Sequence, residues 1–218
     1  MLRKSFCVLL MLLYGLALSI PAGAGQAPSG AFESPPELVS QSSPTAAPGM
    51  SFEVGEIPLP CPAAFVAPAT EGPYYKTGSP ERRNLLTEGI PGEPITVTGY
   101  VFDRNCRPIP GAWIDFWQTD GDGRYDNRGF RLRGHQYTDR DGKYLLRTVF
   151  PGEYPGRTNH IHVKVRAHEG AATVTSQLYF QGSALNESDF IFNPAMLTTI
   201  TTGKNGEKIA FFNFRLNR

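Results

Sequence analysis

Glycine and proline punctuate this chain so often that long helices have little room: they number 23 and 19 among 218 residues. Both favour turns and both are poor in helix interiors. Between the turns lie short alternating segments. Ile95-Thr96-Val97-Thr98-Gly99-Tyr100-Val101 is largely β-branched with period two, so it reads as a strand. Asp103 to Gly111 is a turn, and Ala112 to Trp117 is the next strand, with Trp113 and Asp115 on one face and Ile114 and Phe116 on the other. Thr138-Asp139-Arg140-Asp141-Gly142-Lys143 reads as the turn of a hairpin between Gln136-Tyr137 and Tyr144-Leu145-Leu146. His160 to Arg166, Thr173 to Phe180 and Lys208 to Leu216 supply further strands, with Asn205-Gly206 as a hairpin turn before the last and Ile209, Phe211 and Phe212 as core candidates. Only Asn186 to Leu197 could hold a short helix, limited by Pro194. The expected fold is all-β: a β-sandwich of mostly antiparallel strands with long functional loops.

The first 56 residues do not join that pattern. Arg3 and Lys4 precede a mostly apolar run from Phe6 to Ile20, and Pro21-Ala22-Gly23-Ala24 follows. That order reads as a secretory signal peptide over residues 1–24. Residues 25–56 are rich in Pro, Ser, Ala and Gly and hold little that could form a core, as expected of a flexible linker. The sandwich domain is then 57–218, and the expected location is periplasmic or secreted. Loss of Arg3 and Lys4 would leave 19 basic against 20 acidic side chains, so neither nucleic acid nor, once the signal is gone, a membrane is an expected partner. Of three cysteines, Cys61 and Cys106 would remain, and an even pair in an exported chain points to a disulfide.

The chemistry concentrates around His160-Ile161-His162. Residues i and i+2 of a strand share a face about 7 Å apart, so two imidazoles there can grip one metal. A Pro/Gly-rich segment, Pro151 to Asn159, leads into the pair and carries Tyr154. Tyr125 ends another Gly-rich turn, Asp120 to Tyr125, and no cysteine is nearby. Alone, each tyrosine reads as a half-buried core residue with a satisfied hydroxyl.

Taken in order, these segments resemble the intradiol ring-cleavage dioxygenases from Cys61 to about Leu216. The resemblance rests on Val97-Thr98-Gly99-Tyr100-Val101, Pro108-Ile109-Pro110-Gly111-Ala112, Ile114-Asp115-Phe116-Trp117-Gln118 and Gly123-Arg124-Tyr125. It continues through Thr138-Asp139 to Tyr144, Pro151 to Pro155, and Arg157 with His160-Ile161-His162. It implies one Fe(3+) held by Tyr125, Tyr154, His160 and His162, a mixed set of hard phenolates and imidazoles that suits the ferric state. It further implies that a small aromatic diol and O2 react there to give a cis,cis-muconate-type diacid. Tyr154 would leave the metal with a substrate proton while Tyr125 stays. Arg157 would be the cation beside the attacked ring carbon, and Gln177 would lie near the same pocket. Thr70-Glu71-Gly72-Pro73-Tyr74-Tyr75 resembles the family's substrate-mouth segment and makes Gly72 and Pro73 wall candidates, whereas Trp117 reads as core packing.

Two other readings compete. A transthyretin-like or carboxypeptidase-regulatory-like binding module shares the strand and turn motifs but lacks paired tyrosines with His-x-His. A secreted zinc hydrolase would keep a metal, yet zinc sites rarely use two tyrosines. Substrate identity and oligomeric state stay open at this level.

Overall fold

The computed structural model describes residues 60–217; the expected signal peptide and linker lie outside them. Among the described residues there are nine strands: β1 (Pro94–Phe102), β2 (Trp113–Trp117), β3 (Arg133–Tyr137), β4 (Lys143–Val149), β5 (His160–Arg166), β6 (Val174–Phe180), β7 (Leu197–Thr202), β8 (Lys208–Phe211) and β9 (Phe214–Arg215). A 3₁₀ turn, Pro194–Met196, is capped by the Asn193 side chain accepting from Ala195 N. It occupies the only segment whose sequence left room for a helix.

The strands run in the order β3-β2-β5-β6-β7-β8-β1-β4, with β9 beside β1. The β6–β7 link is short and parallel, joining only Tyr179 to Leu197 and Phe180 to Thr198. The two four-stranded halves therefore fold over one another and share one core. Ile114 and Phe116 of β2, Ile161, Val163 and Val165 of β5, and Leu178 and Phe180 of β6 meet Ile95, Val97 and Val101 of β1, Leu146 of β4 and Ala210 of β8. Alternation along each strand explains the choice: the odd residues of β5 are in that core, so the histidines must face outward.

Three expectations need correction. The turn at Thr138–Lys143 is tight, with Gly142 N donating to the Asp139 carbonyl, but it does not close a hairpin. β3 and β4 lie at opposite ends of the strand order, so the turn carries the chain from one layer to the other. The last strand is two short ones, and Phe211 and Phe212 are only half-buried, while Ala210, Phe214 and Leu216 fill the core. Trp117 is fully buried, yet it sits on the outward face of β2 rather than between the sheets.

That outward face is roofed by residues 67–82, the middle of a strap that runs from residue 60. Ala69 N donates to Thr175 O, and Ser176 Oγ to Ala67 O, fixing the strap on β6. Further along, Ser79 Oγ at 2.7 Å and Tyr75 Oη at 3.1 Å donate to the buried Asp115 carboxylate on β2. Arg82 N then reaches His135 O on β3. Cys61 and Cys106 form a disulfide that ties the start of the strap to the turn after β1.

Candidate metal centre

Cross-strand register lines up four outward-facing residues under the strap. Arg133 of β3 pairs with Trp117 of β2, Trp117 with His162 of β5, and His162 with Gln177 of β6. All four are no more than 1% exposed. Trp117 stacks on His162 with ring centres 4.7 Å apart and planes 8° from parallel, so it fixes the imidazole plane.

The two histidines converge. Their Nε2 atoms lie 3.2 Å apart. His160 Nδ1 donates to Thr158 O at 2.6 Å, which places the proton there and leaves the Nε2 lone pair directed into the site. Burial, helped by the Arg157 charge, brings the His160 pKa down to about 4. His162 is also held well below its ordinary value, by burial first and then by His160. Both imidazoles are neutral at pH 7 and ready to donate to a metal without losing a proton.

Two loops bring the tyrosines to the same point, and they touch backbone to backbone. A Cβ on Gly152 would stand 2.3 Å from Gly123 N, and one on Gly123 would stand 2.1 Å from Glu153 O. Gly123 also has φ +78°, a conformation costly for other residues. The contact sets Tyr125 and Tyr154 with ring centres 5.8 Å apart, and Tyr154 Oη lies 3.5 Å from His160 Nε2. The Tyr125 hydroxyl is buried with no well-aligned hydrogen-bond partner. Its pKa is driven far up, by burial first and then by the nearby Tyr154 hydroxyl. Burial also raises Tyr154, but Arg157 opposes it.

Arg157 is buried and braced on three sides. Its Nε donates to Asp189 Oδ2 at 2.9 Å, Nη1 to Tyr154 Oη at 3.1 Å, and Nη2 to Gln177 Oε1. Gln177 is wholly buried and also donates from Nε2 to Thr70 O. Gly72 closes the site above His162: a Cβ there would lie 3.5 Å from His162 Cε1. Pro73 is exposed, and its neighbour Tyr74 forms the aromatic wall, stacked on Tyr125 at 4.3 Å.

The structure thus gathers Tyr125, Tyr154, His160, His162, Arg157, Gln177 and Gly72, and leaves Pro73 at the rim. Sequence reasoning missed Tyr74, Arg133 and Asp189. Tyr74 lay inside a quoted motif, whereas Arg133 and Asp189 carried no local signal. Arg133 donates to Tyr74 O and Asp126 O, clamping the strap to the loop that bears Tyr125.

The donor set fits a cation. Among the described residues no group of three or more His, Cys, Asp and Glu is placed to hold a metal, so any ion here depends on the tyrosines. Buried polar atoms without partners are costly. Tyr125 Oη is one such atom, and its ring centre lies 6.4 Å from that of His162. Phenol oxygens with imidazole nitrogens make a hard, mixed set suited to a ferric ion.

The dioxygenase family Dioxygenase_C matches residues 70–217. An intradiol ring-cleavage dioxygenase from Tetranychus urticae shares the fold with TM-score 0.64 and 27% identity, over 71% of this chain and 95% of that one. The chain belongs to the intradiol ring-cleavage dioxygenases. A second solved relative of this family member is the dioxygenase domain of a dioxygenase carbohydrate-binding protein fusion from Streptomyces sp. SirexAA-E. It is 47% identical, with TM-score 0.67 over 71% of this chain and 99% of that one. Chlorocatechol 1,2-dioxygenase of Pseudomonas sp. (strain P51) is 29% identical over 69% of this chain and 70% of its own length. The chain spans about half of two further curated relatives, 54% and 49%.

Proposed function

We propose that this chain cleaves a catechol-type diol between its two hydroxyl-bearing carbons, using O2 and one ferric ion held by Tyr125, Tyr154, His160 and His162. The observation that carries the reading is the convergence of two neutral imidazoles and two phenols, with a buried arginine donating a hydrogen bond to the Tyr154 oxygen.

With ferric iron bound, the site gains a Lewis acid that lowers the diol's proton affinity and an electron acceptor that opens the ring to O2. The protein's own groups divide the remaining work. Tyr154, held as a phenolate by the metal, would take up one diol proton at Oη, where Arg157 Nη1 donates to it. Tyr125, enclosed by Tyr74, stays in place. The Arg157 guanidinium supplies a fixed positive charge beside the ring as electron density builds on carbon. Gln177 holds that guanidinium and ties it to Thr70 on the strap. Gly72, with no side chain, forms the part of the wall that lies over His162. The overall change adds both atoms of O2 to the diol and yields a diacid, with no outside reductant.

The substrate is read by the rim, where Pro73 and the Asp126–Arg131 turn lie. A panel of catechol, protocatechuate, hydroxyquinol and halogenated catechols, given to the iron-loaded full chain, tests the proposal. Turnover of at least one to a ring-opened diacid is expected, and none turned over would reject it. The Cys61–Cys106 bond supports an oxidising compartment, periplasmic or extracellular.

A further inference from the structure

Arg157 is aimed by a residue 32 positions away in sequence. Asp189 is 4% exposed and sits on the turn between β6 and the 3₁₀ segment. Its Oδ2 accepts from Arg157 Nε at 2.9 Å and from Thr158 N at 3.0 Å, and its Oδ1 accepts from Ile191 N at 3.0 Å. Two backbone amides therefore fix the carboxylate before it meets the arginine. The turn itself is anchored: Thr158 Oγ1 donates to Asn186 Oδ1, and Asn186 Nδ2 donates to Phe180 O. A guanidinium is a planar fork, so a bond at Nε on one edge sets where both Nη atoms point. Here they point to Tyr154 and Gln177.

We infer that Asp189 is a positioning residue for ring cleavage, holding the Arg157 guanidinium against Tyr154 and Gln177 so that its charge faces the reacting diol. The inference rests on the proposed function above, and it deepens that reading by naming what the arginine depends on. Asparagine cannot replace the carboxylate. Its single acceptor oxygen can serve Arg157 and Thr158 or serve Ile191, and in either case an NH2 group faces another donor. Without the full negative charge and with one of its anchoring bonds lost, the side chain holds the guanidinium less firmly, and misplacement by about 1 Å can cost on the order of a hundredfold in rate.

The test is a double-mutant cycle on the iron-loaded full chain with catechol. Asp189→Asn should lower kcat/KM about 10- to 100-fold, with iron content unchanged. On an Arg157→Leu background the same change should cost less than about threefold, because the group it positions is gone. Equal losses on both backgrounds, or no loss on the wild-type one, would overturn the inference. If Asp189→Asn does not fold, Asp189→Glu is cycled against Arg157→Leu with the same criterion. A second readout needs no turnover: hydrogen exchange at Arg157 Nε–H in the metal-free chain. Slow exchange in wild type and fast exchange in Asp189→Asn are expected, and equal protection overturns the inference. A wild-type chain that turns over no diol sinks the ring-cleavage reading alone, and the exchange measurement still decides what Asp189 does.

Discussion

The two tyrosines differ in what surrounds their oxygens, and this sets their roles. Tyr154 has Arg157 Nη1 at 3.1 Å, while the Tyr125 oxygen is enclosed without an aligned partner. Replacing Tyr154 by Phe should keep iron but slow turnover by roughly a hundredfold, the usual scale for losing a proton acceptor; stopped-flow absorbance on anaerobic diol addition reads it. The histidines give a stability prediction for the metal-free chain. His160 titrates near 4 folded and near 6.5 unfolded, so between those pH values the unfolded chain binds more protons. Stability is therefore full above about pH 6.5 and falls as pH drops toward 4, by roughly 3 kcal/mol from His160. Thermal melts from pH 7 to 4 check the direction. At this scale the His-x-His pair and Tyr154 were legible because strand alternation and a Pro/Gly loop are local signals. Asp189 was not, because its partners come from a strand start and an arginine far back in the chain.

Loops, more than strands, decide whether the site closes. The Tyr125 and Tyr154 loops approach through Gly123 and Gly152, with no room for a Cβ at either. Gly152→Ala should force them apart. The expected cost is roughly 1–3 kcal/mol of stability from overpacking and a lower iron content per chain, read by melting and metal analysis. Full iron content in that variant would show that the loop contact does not set the ligand spacing. The strands themselves were largely visible in the sequence, because the segments of β1 and β5 alternate and those of β2 and β6 are short runs bounded by turn signals. What alternation cannot show is which strands pair. The Thr138–Lys143 turn has hairpin chemistry, yet β4 pairs with β1 and β3 with β2. The Trp117 placement failed for a related reason. Period two told which residues share its face but not that the strap would bury that face.

Across the whole domain, the strap converts a solvated sheet face into a closed site. It bonds to β6, β2 and β3 in turn, supplies Gly72 and Tyr74, and is tied at its start by Cys61–Cys106. The disulfide closes a loop over a sequence separation of 45, worth about 4 kcal/mol on a chain-entropy estimate. Reduction should lower the melting temperature of the full chain, and a Cys106→Ser variant should show the same loss and no further response to reductant. An unchanged melt in both would mean that the hydrogen bonds of the strap suffice. The central claim is that this enclosed arrangement opens an aromatic ring between two hydroxyl-bearing carbons. Its most direct test is mass analysis of the product formed from catechol and ¹⁸O₂ by the iron-loaded protein. The account predicts a muconate-type diacid carrying oxygen from O2 in both carboxyl groups. A semialdehyde cleaved beside the diol, or no ring opening with iron fully bound, would contradict it.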